Sequence, residues 1–163
     1  KINLKDYAKL VNKFLKNKKS KVIFEPGRFI IGNAAILISK IIYIKKNNNK
    51  KYIILDAGMN NLMRPALYNA YHEIIPLNIK NKKLKGNFEF VGPVCESSDK
   101  FSGIKKFPQV EEGDFVALAN VGAYGMSLSS NYNSRPTIAE IMVKGSKYKI
   151  MRKRQSLENL VRN

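Results

Sequence analysis

Four short stretches of this sequence hold residues whose types and spacing could do chemistry. In Glu25-Pro26-Gly27-Arg28 the glycine lets backbone approach an anion closely, and the arginine can fork onto a phosphate or carboxylate. The same four residues also suit a strand-ending turn with a surface arginine. Arg64 and Tyr68 stand four apart, so a helix would put guanidinium and phenol on one face, ready for a carboxylate. A salt-bridged arginine beside a half-buried tyrosine uses the same spacing. Gly92-Pro93-Val94-Cys95-Glu96-Ser97 sets the only cysteine beside an acid. A thiol there can give a proton or act as nucleophile, and the acid can hold an ammonium group. A lone thiol after apolar residues can equally be buried and inert. In Gly122-Ala123-Tyr124-Gly125, Tyr124 could turn its hydroxyl to a ligand or anchor a tight turn. His72 reads as a packing or helix-surface residue, not a catalyst.

These side chains need elements to position them. Ile2, Leu4, Tyr7, Ala8, Val11, Phe14 and Leu15 fall at helical spacing, with Lys on the other face. After a break at residues 17–20, the apolar run Val22-Ile23-Phe24 predicts a buried strand. Its C-terminal end would carry Glu25–Arg28, where α/β barrels place ligand loops. A helix followed by such a strand belongs to a larger α/β unit. Ala35–Lys45 and Lys51–Asp56 flank Asn47-Asn48-Asn49 and predict a β-hairpin. Leu62–Tyr71 predicts a short helix with Pro65 in its first turn. Strands are expected at Asn87–Val94, Asp114–Asn120, Arg135–Val143 and Lys147–Arg152, and a closing helix at Ser156–Val161. The texture from 35 to 152 implies a mainly antiparallel β-domain, closed as a barrel.

Composition narrows the function classes. At 163 residues and 44% hydrophobic the chain folds, but it is too short for a (β/α)8 barrel of roughly 250 residues. One Cys excludes an intrachain disulfide, and with one His it falls short of a structural zinc set, so no metal is expected. No apolar run approaches the roughly 20 residues of a membrane span. Thirty Lys and Arg against twelve Asp and Glu give +18, which invites nucleic acid as partner. Residues 1–21, 40–51, 80–85 and 144–163 hold more than this whole excess, and the motif-bearing remainder is −4. Solvated Lys on helix faces, hairpin tips and a tail explains the excess, so neither nucleic acid nor membrane is expected as partner.

The stretches EPGRFIIGNA, LDAGMNNLMRPALYNAYHEI, VGPVCESSD and GDFVALANVGAYGMSLSSNYNSRP, in that order, resemble the C-terminal part of the diaminopimelate decarboxylase family. These are pyridoxal 5'-phosphate enzymes of the alanine-racemase-like decarboxylases, and they make L-lysine from meso-diaminopimelate. The resemblance spans residues 22–143. It implies an α+β, mainly β fold: 1–34 as the last helix and strand of an incomplete (β/α)8 barrel, 35–152 as an antiparallel β-barrel domain, and 153–163 as a helical tail. It further implies that Glu25, Pro26, Gly27 and Arg28 line the cofactor phosphate and that Tyr124 touches cofactor and substrate. Arg28, Arg64 and Tyr68 would hold the substrate's distal carboxylate, Glu96 its distal ammonium, and Cys95 would be the catalytic proton donor. A cytoplasmic homodimer with shared active sites is implied, because in this family Cys and Glu reach the neighbouring subunit. No Lys here matches the one that holds the cofactor, so the chain is expected to be part of a longer enzyme and inactive alone. Ser98 stands where the family usually has Gly. A relative acting on ornithine or arginine, or a non-catalytic dimerisation piece, would share much of this pattern.

Overall fold

Strict alternation decides which face of the longest strand turns inward. In β1 (Leu37–Asn47), Leu37, Ser39 and Ile41 are buried while Ile38, Lys40 and Ile42 are exposed. The structure, a computed structural model, describes residues 2–47, 50–78, 81–84, 86–104 and 106–162. β1 pairs antiparallel with β2 (Lys50–Leu55), from Ile41 opposite Leu55 to Asn47 opposite Lys50. The extra residue Ile42 makes a bulge there. The expected hairpin is therefore present as this ladder; Asn48 and Asn49 lie outside the described residues.

Six more short strands follow: β3 (Ile74–Pro76), β4 (Asn81–Leu84), β5 (Phe88–Val91), β6 (Lys100–Ile104), β7 (Pro108–Gln109) and β8 (Phe115–Leu118). The main sheet has the order β3-β8-β1-β2-β5-β6, while β4 and β7 pair apart from it. All neighbours in the main sheet are antiparallel except β2 and β5, which run parallel. Two parallel strands need a long crossover, and residues 56–87 supply one. The sheet is thus mixed, and it ends at β3 and β6 with no described ladder joining them. Six of the seven described ladders are antiparallel, as expected over 35–152, but the sheet curves as a half-barrel and no described ladder closes it. A separate hairpin, β9 (Glu140–Lys144) and β10 (Lys147–Arg152), turns at Gly145 with φ +60°. Residues 135–139, expected as strand, lie outside it.

The core sits on one face of the main sheet. Ile41, Ile53, Leu55, Phe90, Val116 and Leu118 are fully buried, and Phe107 meets the rings of Phe90 and Phe88 edge-on at 4.9 and 6.1 Å. Outside this core the chain is apolar but uncovered. Helix α1 (Leu4–Leu15) begins at Asn3, whose side chain accepts from the Lys5 amide, and buries no residue. Its Tyr7 meets Phe24 edge-on at 5.8 Å. Val22–Phe24 forms no strand, and these residues are exposed. A strand exists only through a neighbour's backbone, and no described strand of this chain pairs with this segment. Of the helix and strand expected within 1–34, only the helix forms.

Three further helices are short. In α2 (Gly27–Ile31) the chain enters through Pro26 and passes by a 3-10 turn at Gly32–Ala34 into β1. In α3 (Arg64–Tyr68) Pro65 lies in the first turn, and Asn69 at φ +50° ends the helix before the expected Tyr71. The hydroxyl of Ser156 accepts from the Asn159 amide at 3.1 Å and caps α4 (Leu157–Val161).

Candidate functional site

The loop after β8 folds back over α2 and so brings two distant motifs together. The amides of Val121 and Gly122 donate to the carbonyls of Ala35 and Gly32 at 3.1 and 3.0 Å. Gly122 passes so close that a Cβ would overlap the Ile31 carbonyl, so only glycine fits. Two residues on, Tyr124 sits in the left-handed region at φ +68°, which a tyrosine adopts only under constraint. Its hydroxyl faces Gly27: a Cβ built there would lie 3.9 Å from Oη. Its ring lies 5.9 Å from the guanidinium carbon of Arg64.

Arg64 stands at the start of α3, partly buried. One terminal nitrogen lies 3.4 Å from Nε2 of His72, and its Nε is buried without a partner. His72 is only 1% exposed, and its Nδ1 lies 2.9 Å from the Ala119 carbonyl. Burial lowers the pKa of His72 below its ordinary value; the Ala119 hydrogen bond opposes this, and the charges of Arg64 and Arg28 add to it. Arg28 therefore lies within electrostatic reach of the same ring. Gly27, Arg28, Arg64, His72 and Tyr124 form one cluster. Among the described residues, neither arginine is in an ion pair. The salt-bridge alternative for Arg64 is thus not what forms. Tyr68 lies one turn along α3 and is 63% exposed; Glu25 is exposed beside Pro26.

A second cluster surrounds Cys95. The thiol is exposed, so the reading of a buried inert cysteine does not hold. The loop that carries it is tied by Asp99, whose two carboxylate oxygens accept from the amides of Met59 and Val94 at 2.7 Å each. The Gly92 amide donates to the Asp99 carbonyl at 2.9 Å. Burial raises the Asp99 pKa, while the bonds from Val94 and Met59 and the charge of Arg135 act the other way. Arg135 itself donates to the Asp56 carbonyl at 2.5 Å. Glu96 is exposed and stands 3.5 Å from the Tyr132 hydroxyl. Ser98 has no positive φ, so its backbone does not require glycine. No described hydrogen bond, ion pair or ring contact links Cys95 or Glu96 to the cluster around Arg64.

Sequence reasoning placed Arg28, Arg64 and Tyr124 near one another only through resemblance. It missed His72 as their buried neighbour, and it missed Asp99 and Arg135. The sole histidine, between Tyr71 and Glu73, reads equally as packing or surface, and the packing alternative is the one that forms. Ser98-Asp99-Lys100 reads as surface, and nothing local marks Asp99 as buried.

With this geometry in place, similarity to other proteins adds a family. Residues 13–122 match the family described as pyridoxal-dependent decarboxylase, C-terminal sheet domain. A diaminopimelate decarboxylase of Aquifex aeolicus is 44% identical over 156 residues, covering 96% of this chain but only 37% of that protein. The crystal structure of diaminopimelate decarboxylase from Helicobacter pylori complexed with L-lysine is similar with a TM-score of 0.86 at 42% identity. That match covers 98% of this chain and 39% of that one. An arginine decarboxylase of Paramecium bursaria Chlorella virus shares the fold, with a TM-score of 0.66 at 17% identity. The chain thus spans well under half the length of the relatives it matches.

Proposed function

Because the chain belongs to the pyridoxal-dependent decarboxylases, whose C-terminal sheet domain it forms, we propose that it is the C-terminal portion of a carboxy-lyase converting meso-diaminopimelate to L-lysine. The observation that carries this reading is the clustering of Arg28, Arg64 and Tyr124 around His72 and beside Gly27, with no acid paired to either arginine among the described residues. Such a set is rich in donors and positive charge, and it suits anions: a cofactor phosphate beside Gly27 and a substrate carboxylate beside Arg64. The residues present therefore fit one edge of a bound pyridoxal phosphate.

Bound there, pyridoxal phosphate supplies the electron sink for loss of carbon dioxide. This chain's residues do the holding and the proton transfer. Glu25, Pro26, Gly27 and Arg28 line the phosphate, with the Tyr124 hydroxyl beside them. Arg28, Arg64 and Tyr68 grip the distal carboxylate, and Glu96 accepts from the distal ammonium. The Cys95 thiol, exposed at a loop fixed by Asp99, gives its proton to the carbon that has lost its carboxylate. Among the described residues no hydrogen bond, ion pair or ring contact joins Cys95 or Glu96 to the arginine cluster, in keeping with a homodimer in which they complete the partner's site.

The test uses the complete subunit loaded with pyridoxal phosphate, with lysine formation from meso-diaminopimelate as readout. Cys95→Ala should lower kcat, and Arg64→Ala should raise KM. Full activity in both variants would refute these roles. Ornithine has no distal carboxylate for Arg64 to hold, so a faster rate on ornithine would move the enzyme to the sibling class.

A further inference from the structure

We propose that His72 is a positioning residue: a neutral imidazole that fixes the guanidinium of Arg64 without cancelling its charge. The Ala119 carbonyl can only accept, so Nδ1, 2.9 Å away, carries the ring's proton. A neutral ring then presents a bare lone pair at Nε2, and that atom faces the Arg64 nitrogen at 3.4 Å. The ring is a donor at one end and an acceptor at the other. It ties the start of α3 to the loop after β8, the same loop that delivers Tyr124. Almost complete burial keeps water from either end.

The choice of partner has a consequence for Arg64. A carboxylate in place of the imidazole would grip the guanidinium more strongly, but it would leave a neutral pair with little attraction for an anion. His72 orients Arg64 and leaves its full charge available. Burial and the two neighbouring arginines oppose a second proton on the ring and outweigh the Ala119 hydrogen bond, which favours it.

That Arg64 meets a substrate carboxylate rests on the function proposed above; the tautomer of His72 and its hold on Arg64 do not. The experiment therefore has two arms, both on the complete, cofactor-loaded enzyme. In the first, ¹⁵N spectra of the His72 ring, identified by its loss in His72→Gln, should show a neutral imidazole protonated at Nδ1 at pH 7. An Nε2-protonated ring or an imidazolium overturns the proposal, whether or not lysine is formed. In the second arm, steady-state kinetics on meso-diaminopimelate compare three variants. His72→Gln keeps an acceptor near Nε2 and should hold KM within about threefold, far less than loss of a charge-assisted bond causes. His72→Leu and His72→Glu should raise KM about ten- to a hundredfold, with kcat changed much less. Equal KM for Gln and Glu overturns the proposal, because charge on the partner would then be irrelevant. If wild type forms no lysine, the proposed function fails, and the spectra still decide the role of His72.

Discussion

Replacing Gly92 by alanine should disorder the Cys95 loop from three residues away, and the structure gives the size of the effect. A Cβ at Gly92 would overlap both carboxylate oxygens of Asp99 and lie 2.5 Å from its Cγ. Asp99 cannot swing aside freely, because it is 4% exposed and both oxygens are held by the amides of Met59 and Val94. Moving it breaks two hydrogen bonds to a charged group, at about 1.5–3 kcal/mol each. The expected cost is therefore about 3–6 kcal/mol, which corresponds to a roughly 10²- to 10⁴-fold loss of protection at those two amides. Hydrogen exchange of the complete protein, followed at residues 58–60 and 92–99, reads this directly. A companion variant isolates the cause. Asp99→Ala leaves the same two amides unpaired and costs about 2–6 kcal/mol on its own, but it empties the space the new methyl needs. Gly92→Ala should then add less than about 0.5 kcal/mol in that background, since contacting residues are strongly non-additive. Additive costs, or unchanged exchange in Gly92→Ala, would refute the clamp.

Three further outcomes follow from the geometry. The pKa of His72 lies below its ordinary 6.5, so the stability gained from its neutral form is complete above that pH and is lost as pH falls. The thermal midpoint of wild type should accordingly drop relative to His72→Gln as pH falls below 6.5, and a constant offset would contradict this. Tyr124→Phe should shift stability by less than about 0.5 kcal/mol yet weaken pyridoxal phosphate binding, read by titration of the apoenzyme; stability loss with unchanged binding would move the hydroxyl away from the cofactor. Ser156→Ala should cost about 1 kcal/mol through the cap of α4, seen as faster exchange confined to residues 157–161.

The sequence was most legible where one face of an element decides its burial. The helical period from Ile2 to Leu15 and the β-branched runs around Asn47 gave α1, β1 and β2 within a few residues. Val22–Phe24 misled because apolar, β-branched residues mark a surface to be covered, and a strand further needs a backbone neighbour. The strands β3, β4, β6 and β7 were missed since they are only two to five residues long. Parallel pairing of β2 with β5 had no local signature at all, because direction is set by the crossover. At the site, Arg64 and Tyr68 were visible from spacing, and Gly27-Arg28 from chemistry. His72 and Asp99 were not, because each is defined by partners 40 or more residues away in sequence, Ala119 in one case and Met59 in the other.

The strand order also sets a clock on synthesis. β8 lies between β3 and β1, pairing Leu37 with Leu118 and Ile74 with Leu118 across its two edges. Neither β3 nor the outer edge of β1 has another partner in the sheet. The start of β8, Phe115, lies 78 residues after that of β1, Leu37, and a ribosome adding about 5–20 residues per second needs about 4–16 s to deliver them. Throughout that interval the Leu37–Lys40 edge, flanked by exposed Ile36 and Ile38, is an open template for any other extended chain. A nascent chain halted before Phe115 would leave the Leu37–Lys40 edge and β3 without the strand that joins them.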